Sequence, residues 1–232
     1  MQTMNKEKQY ILCLETATTN CSVALSLGGK QVALKEDYDV KYSHAERLHT
    51  YIEEVLAFAK ISKNELGAIA VSKGPGSYTG LRIGVSAAKG LCFALEIPLI
   101  SIPTLDALAM QVTPSQNELV IPMLDARRME VYSAVFDAQF NQIRETQAQI
   151  LTQESFINYL DKGVVHFIGN GVAKFAEIYT HPNGRFVEGK LPSAKELCEV
   201  AGEKFENKDF EDVAYFEPYY LKDFIAGKPK AK

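Results

Sequence analysis

A strand pattern that begins twice governs how this chain can fold. Tyr10 to Leu14 is a short apolar run ending at an acid, Glu15, and Leu119 to Leu124 is another, ending at Asp125, 110 residues further on. Short apolar runs bounded by polar turns read as fully buried strands. After the first, Val23, Leu25 and Leu27 alternate with smaller residues over Cys21 to Leu27. Gly28-Gly29 then makes a hairpin turn, and Gln31 to Tyr38 returns as a third strand. After the second, Val131, Ser133 and Val135 repeat the alternation, the chain turns near Asp137 to Asn141, and Ile143 to Ile150 is again a third strand. A helix follows each hairpin, one capped at Ser43 and one starting at about Thr152. The repeat predicts two similar lobes with an acid from each facing a cleft between them. Antiparallel hairpins joined to helix-linked parallel strands give mixed sheets and an α/β class.

The remaining elements complete each lobe. Ala68 to Ser72 is a fourth strand that runs through Gly74-Pro75-Gly76-Ser77 into a helix ending near Leu95. Pro98 to Ile102 is a fifth strand, followed by a helix from about Thr104. In the second half, Val164 to Ile168 is a strand and Gly169-Asn170-Gly171 opens another helix. The expected lobes are 1–107 and 108–232, the latter closing in a flexible lysine-rich tail at about 226–232. A length of 232 residues fits this division, at roughly 100–200 residues per domain.

Two helices carry informative spacing. Ser43 and Glu46 form a capping box, and Ala45, Leu48, Ile52, Val55 and Ala59 then recur at intervals of 3, 4, 3 and 4, with Leu56 widening the seam. Such a seam packs either on its own sheet or on a facing helix. In the helix after Ser77, Gly80, Gly84 and Ala88 recur every four residues and leave one flank open to close approach by another backbone. Glycine inside a helix costs about 1 kcal/mol against alanine, so packing or function must offset it.

Charge and ligand chemistry exclude several classes. With 25 basic and 29 acidic residues the net charge is −4, which argues against a protein that grips nucleic acid unaided. Cys13, Cys21, Cys92 and Cys198 form no C-x-x-C pair and read as buried reduced thiols. The polar N-terminus lacks a signal-peptide core and no apolar run approaches a membrane span, so the expected compartment is the cytoplasm. His44 and His49 lie about 140° apart around a helix, so they do not form a metal pair. Glu15, Thr16 and Thr18 at one strand end and Asp125 at the other are candidates for positioning phosphate and a metal-bound water. Gly74, Gly76 and Ser77 before a helix could offer backbone N–H groups to an anion, and Gly169 and Gly171 could admit a purine. No Walker A lysine accompanies these turns, and Ser77 has no G-x-S-x-G setting.

The stretch from Gly74 to Val85 (GPGSYTGLRIGV), continuing through Ala88-Lys89-Gly90-Leu91, closely resembles the signature of the bacterial TsaB (YeaZ) family. Leu14 to Thr18, Ser22 to Leu25, Ile102 to Leu108, Asp125 to Arg128 with Glu130-Val131-Tyr132, and Pro218 to Lys222 extend the likeness, while the region from about Gln139 to Asn207 matches loosely. The family more often has Asp where this chain has Glu15.

The resemblance implies an actin-like, sugar-kinase-like ATPase fold of two ribonuclease-H-like lobes. It implies a role in making threonylcarbamoyl-adenosine beside the tRNA anticodon, as a required subunit without intrinsic activity. The implied partners are the catalytic paralogue TsaD, the P-loop ATPase TsaE and a second copy of the chain, with tRNA as substrate of the assembly; TsaC supplies the threonylcarbamoyl-adenylate. The paralogue's metal-binding His-x-x-x-His pair falls here on Thr104 and Leu108, which do not serve as metal ligands. No cofactor is required on this reading, although ATP or ADP with Mg could occupy the cleft or the partner interface. The first two helices of the family pack on the partner, which makes Ala45, Leu48, Ile52, Val55, Leu56, Ala59, Gly80, Gly84 and Ala88 the expected interface. The alternatives are an independent ATPase or small-molecule kinase, a metalloprotease, and a free-standing RNA binder using Lys222, Lys228, Lys230 and Lys232 with Tyr215, Phe216, Tyr219 and Tyr220.

Overall fold

The computed structural model describes residues 10–37 and 44–222. The Ser43 cap, Tyr38 at the end of the expected third strand, and the tail at 226–232 lie outside the described residues. The first sheet contains β1 (Tyr10–Glu15), β2 (Cys21–Leu27), β3 (Lys30–Asp37), β4 (Leu66–Gly74) and β5 (Leu99–Pro103), in the order β3-β2-β1-β4-β5. The second contains β6 (Leu119–Asp125), β7 (Glu130–Phe136), β8 (Gln142–Ile150), β9 (Val165–Gly169) and β10 (Gly184–Glu188), in the order β10-β9-β6-β7-β8. Reversed, this is the first order repeated strand for strand. In both sheets the first two pairings are antiparallel and the others parallel. The hairpin between β2 and β3 turns on Gly28 and Gly29, both at positive φ, a conformation that glycine adopts without steric cost.

The faces of the first sheet are covered by different helices. Leu12, Leu14, Val23 and Leu25 point toward α1 (His44–Ala59) and α2 (Tyr78–Leu95), in one core cluster with Leu48, Ile52, Val55, Leu56 and Ala88. Ile11, Cys13, Ala24 and Ala70 point to the opposite side, where Ala194, Leu197, Cys198 and Ala201 of α6 (Ala194–Glu206) complete a second cluster. The seam expected to meet a partner is therefore the first lobe's own core. Leu48, Ile52, Val55 and Leu56 are each 5% exposed or less, and the half-buried Ala59 packs on the same cluster; only Ala45 of that set is exposed. The spacing marks an amphipathic helix laid on its sheet, the alternative that spacing alone left open.

The small-residue flank of α2 is also internal. A Cβ at Gly80 would stand 2.1 Å from the Thr16 carbonyl oxygen, and one at Gly84 would stand 2.2 Å from Thr16 Oγ1. The glycines let α2 seat directly on the end of β1, where Thr16 Oγ1 donates to Gly80 O at 2.8 Å.

One helix is shorter than the sequence expectation, and two elements cross the expected lobe boundary. The helix expected from about Thr152 is only α4 (Ile157–Leu160): Phe156 takes a left-handed φ of 62° and inserts its ring against Phe167 and Phe175 in the second core. The short α3 (Thr104–Ala109) spans the expected boundary at 107/108, placing Ala107 in a core cluster of the first sheet and Leu105 and Leu108 in one of the second. Beyond α5 (Val172–Ala176) and β10 the chain returns to the first sheet as α6, and Glu211 then bridges to Leu99 on β5. All four cysteines are buried and free.

Candidate functional site

A cleft of about 610 Å³ opens between the two sheets' strand ends, lined by Ala17, Thr18, Thr19, the loop Pro75–Ser77, the start of α2, Leu124 to Arg127, Tyr132, Asn170 and the stretch Tyr219 to Lys222. Of the nine expected cleft residues, Thr18, Gly76, Ser77 and Asp125 line it. Thr18 is 6% exposed, and its carbonyl accepts at 2.7 Å from Nε2 of the buried His44. Desolvation lowers the pKa of that imidazole below its ordinary value.

The other five do structural work beneath the walls. Glu15 is fully buried on the α6 side of the sheet. Its Oε1 accepts from Ala17 N at 2.6 Å, while its Oε2 lacks a hydrogen-bond partner. Burial pushes this carboxyl up to about 7, against the opposing backbone hydrogen bond from Ala17. Thr16 is spent on α2. Gly74, at φ +112°, lies under the chain's own C-terminal segment, with Tyr219 O 2.6 Å from where a Cβ would be. Gly169, at φ +127°, would drive a Cβ to 2.3 Å from Met123 O, and Gly171 would drive one to 2.7 Å from Val131 Cγ1. These two glycines close the packing of β9 and the turn after it on β6 and β7, and neither lines the cleft.

The loop before α2 also spends donors internally. Ser77 N donates to Ala17 O at 2.7 Å, and Ser77 Oγ caps α2 by accepting from Gly80 N at 3.3 Å. The N–H of Ser77 is thus not free for an anion. On the opposite wall Asp125 Oδ1 accepts from Arg127 N at 2.6 Å and from Lys174 Nζ at 2.7 Å, while Asn170 Oδ1 receives Asp125 N.

Sequence reasoning missed Arg127, Tyr132 and Asn170 as cleft residues. The strap from Tyr219 to Lys222 closes one side of the cleft. Tyr219 N donates to Lys73 O at 2.7 Å, Tyr220 packs on Tyr78 with ring centroids 5.0 Å apart, and Lys222 pairs with Glu130 across the lobes. A Tyr-Tyr pair followed by Lys after Pro218 is its signal in the sequence.

A second concavity, of about 740 Å³, lies on the outer side of α1 and α2, between Ala45 and His49 on one helix and Arg82, Ile83, Ser86, Ala87 and Leu91 on the other. Phe93 extends this face of α2, seven residues after Ser86, and is 82% exposed. Among the described residues no group of three or more His, Cys, Asp or Glu is placed to hold a metal ion, and no helix is long and apolar enough to cross a membrane.

Two sheets with one repeated strand order, meeting at a cleft at their strand ends, define an α/β protein of the actin-like, sugar-kinase-like ATPase fold. Within that class the family model for TsaD, tRNA N6-adenosine threonylcarbamoyltransferase, matches residues 39–229. The tRNA threonylcarbamoyladenosine biosynthesis protein TsaB of Haemophilus influenzae is 32% identical over 228 residues, 94% of this chain and 95% of that protein. The Escherichia coli TsaB is 29% identical over 94% of this chain and 96% of its own length. YeaZ from Pseudomonas aeruginosa superposes with a TM-score of 0.78 at 28% identity, over 92% of this chain and 100% of that one. The chain belongs to the TsaB (YeaZ) family, whose curated members are named for tRNA threonylcarbamoyladenosine biosynthesis.

Proposed function

We propose that this chain is a non-catalytic subunit of the assembly that transfers threonylcarbamoyl to the tRNA adenosine beside the anticodon, and that it docks on the catalytic paralogue TsaD, with TsaE as a further partner. The observation that carries this reading is the exposed face of α1 and α2. Unlike the buried seam, it presents a concavity lined by the exposed Ala45 and the half-buried Ile83 and Ala87, with the exposed Phe93 further along α2, on two long helices seated on the first sheet. Apolar side chains around a groove between parallel ridges suit a facing helix pair. A supporting role also fits Thr104 and Leu108, both fully buried in packed core, at the positions where the family resemblance puts the paralogue's histidines. The two lobes stand as the proposed functional division of the chain, with α6 and the strap tying the second back to the first.

The test separates surface from core. Phe93→Glu and Ser86→Arg are expected to leave the melting temperature within a degree or two and to abolish both co-purification with TsaD and threonylcarbamoyl transfer in a reconstituted reaction. Ile52→Glu, inside the core, is expected to unfold the chain outright. Retention of co-purification and transfer by both surface variants refutes the docking face; full transfer with this chain omitted refutes the role itself. Hydrolysis of Mg-ATP by the purified chain alone would favour the ATPase reading.

A further inference from the structure

We propose that the turn Arg127-Arg128, at the mouth of the interlobe cleft, is a contact for RNA phosphates; this rests on the functional reading above, in which tRNA is the substrate. The first observation is backbone conformation. Arg127 and Arg128 both lie in the left-handed region, at φ +68° and +51°. Residues with a Cβ are disfavoured there, and asparagine or glycine would fill both positions at less cost. Held strain at non-glycine positions points toward a function of the side chains.

The second observation is how firmly the turn is held. Asp125 Oδ1 receives Arg127 N, Ala126 N donates to Glu130 O at 3.0 Å, and Glu130 N donates to Arg127 O at 3.2 Å. Beneath it Lys174 Nζ donates to Asp125 Oδ1, to Arg128 O at 2.8 Å and to Glu130 O at 2.7 Å. The two arginine side chains take no part in this network.

The third observation is charge. Asp125 is matched by Lys174 and Glu130 by Lys222. Arg127 and Arg128 are exposed and have no carboxylate partner among the described residues. Two uncompensated guanidiniums on a rigid turn suit phosphate oxygens, which they can engage bidentately. Tyr132 and the 43% exposed Tyr219 line the same cleft, and aromatic faces beside arginine favour single-stranded RNA over an acidic protein surface. Because Lys222 is engaged with Glu130, the arginine turn supplies the free positive charge at this corner among the described residues.

The test replaces strain and charge together. Arg127→Asn with Arg128→Gly keeps residues that favour the left-handed turn and removes both guanidiniums, so the variant is expected to melt no lower than the parent. Fluorescence anisotropy of the full chain with a labelled anticodon-arm RNA, between about 50 and 200 mM salt, should show affinity reduced roughly tenfold. The slope of log K against log salt should fall by about 2, about 1 for each phosphate that a guanidinium no longer neutralises. A scrambled RNA should be weakened equally, since phosphate contacts position without specifying. Unchanged affinity and slope overturn the proposal, as does no saturable binding by the parent at the lowest salt. Equal binding of polyglutamate by the parent overturns the assignment to RNA. The docking face is read separately by co-purification with TsaD, which the turn variant is expected to keep and Phe93→Glu to lose, so the two failures are distinguishable.

Discussion

Replacing Glu15 with Gln is expected to stabilise the protein, and to do so more at high pH than at low. The fully buried carboxyl is held up to about 7 from 4.5, chiefly by desolvation. At about 1.36 kcal/mol for each pH unit, that displacement costs the ionised native state about 3 kcal/mol. The sign follows from which state keeps its proton. Near and below pH 4.5 the unfolded chain is protonated as well, and there is little penalty. Between 4.5 and 7 the unfolded chain ionises while the native carboxyl stays neutral, so stability falls as pH rises through this window and levels off above it. Glutamine cannot ionise, its oxygen can still accept from Ala17 N, and Ser72 neighbours the same side chain. At roughly 2–4 °C per kcal/mol for a chain of this size, the variant should melt about 6–12 °C higher at pH 8 and much closer to the parent at pH 5. Asp106, pushed to about 6 by its own burial, slopes in the same direction in both proteins and cancels in the difference. Differential scanning calorimetry at both pH values provides the test. A variant no more stable at pH 8 than at pH 5, relative to the parent, would refute the claim that desolvation of Glu15 sets this pH dependence.

Other sites give sharper contrasts. Gly80→Ala should destabilise by about 1–3 kcal/mol or more in urea titration, because its Cβ would meet the Thr16 carbonyl. Gly90→Ala, in the same helix with nothing within 4 Å, should instead stabilise by about 1 kcal/mol. Lys174→Met should cost about 2 kcal/mol in the same assay, since it strips a donor from the Arg128 and Glu130 carbonyls and leaves Asp125 without its cation. The His44 ring should titrate by NMR below the ordinary histidine value, and its contribution to stability should be lost as pH falls below about 6.5, because the native state holds it neutral.

Period and punctuation in the sequence carry most of the fold. Alternation around Val23 and Val131, the glycine pair at 28 and 29, and the acid-terminated runs at Glu15 and Asp125 place strands and hairpins close to where they stand. They also disclose the repeat that the two sheets realise. What was not legible came from long-range packing. Phe156 breaks a helix because the second core takes its ring, and α6 belongs to the first sheet though it follows the second. The pattern Ser193-Ala194-Lys195-Glu196 was a readable helix start, and Ser193 Oγ does accept from Lys195 N; nothing local says which sheet the helix covers.

The same division holds at the site. From its own residues the chain determines the motif that joins β4 to α2, the four-residue spacing of Gly80, Gly84 and Ala88, and the absence of histidine at 104 and 108. Only the tertiary structure decides which face of each helix is left to solvent. A heptad-like seam has the same spacing whether it meets a sheet or a partner helix, so Leu48, Ile52 and Val55 could be assigned to the core only once β1 and β2 were seen beneath them. Likewise Glu15 is a cleft acid by position in the strand but a buried, partly neutral carboxyl by environment, because α6 arrives from the far end of the chain to exclude its water.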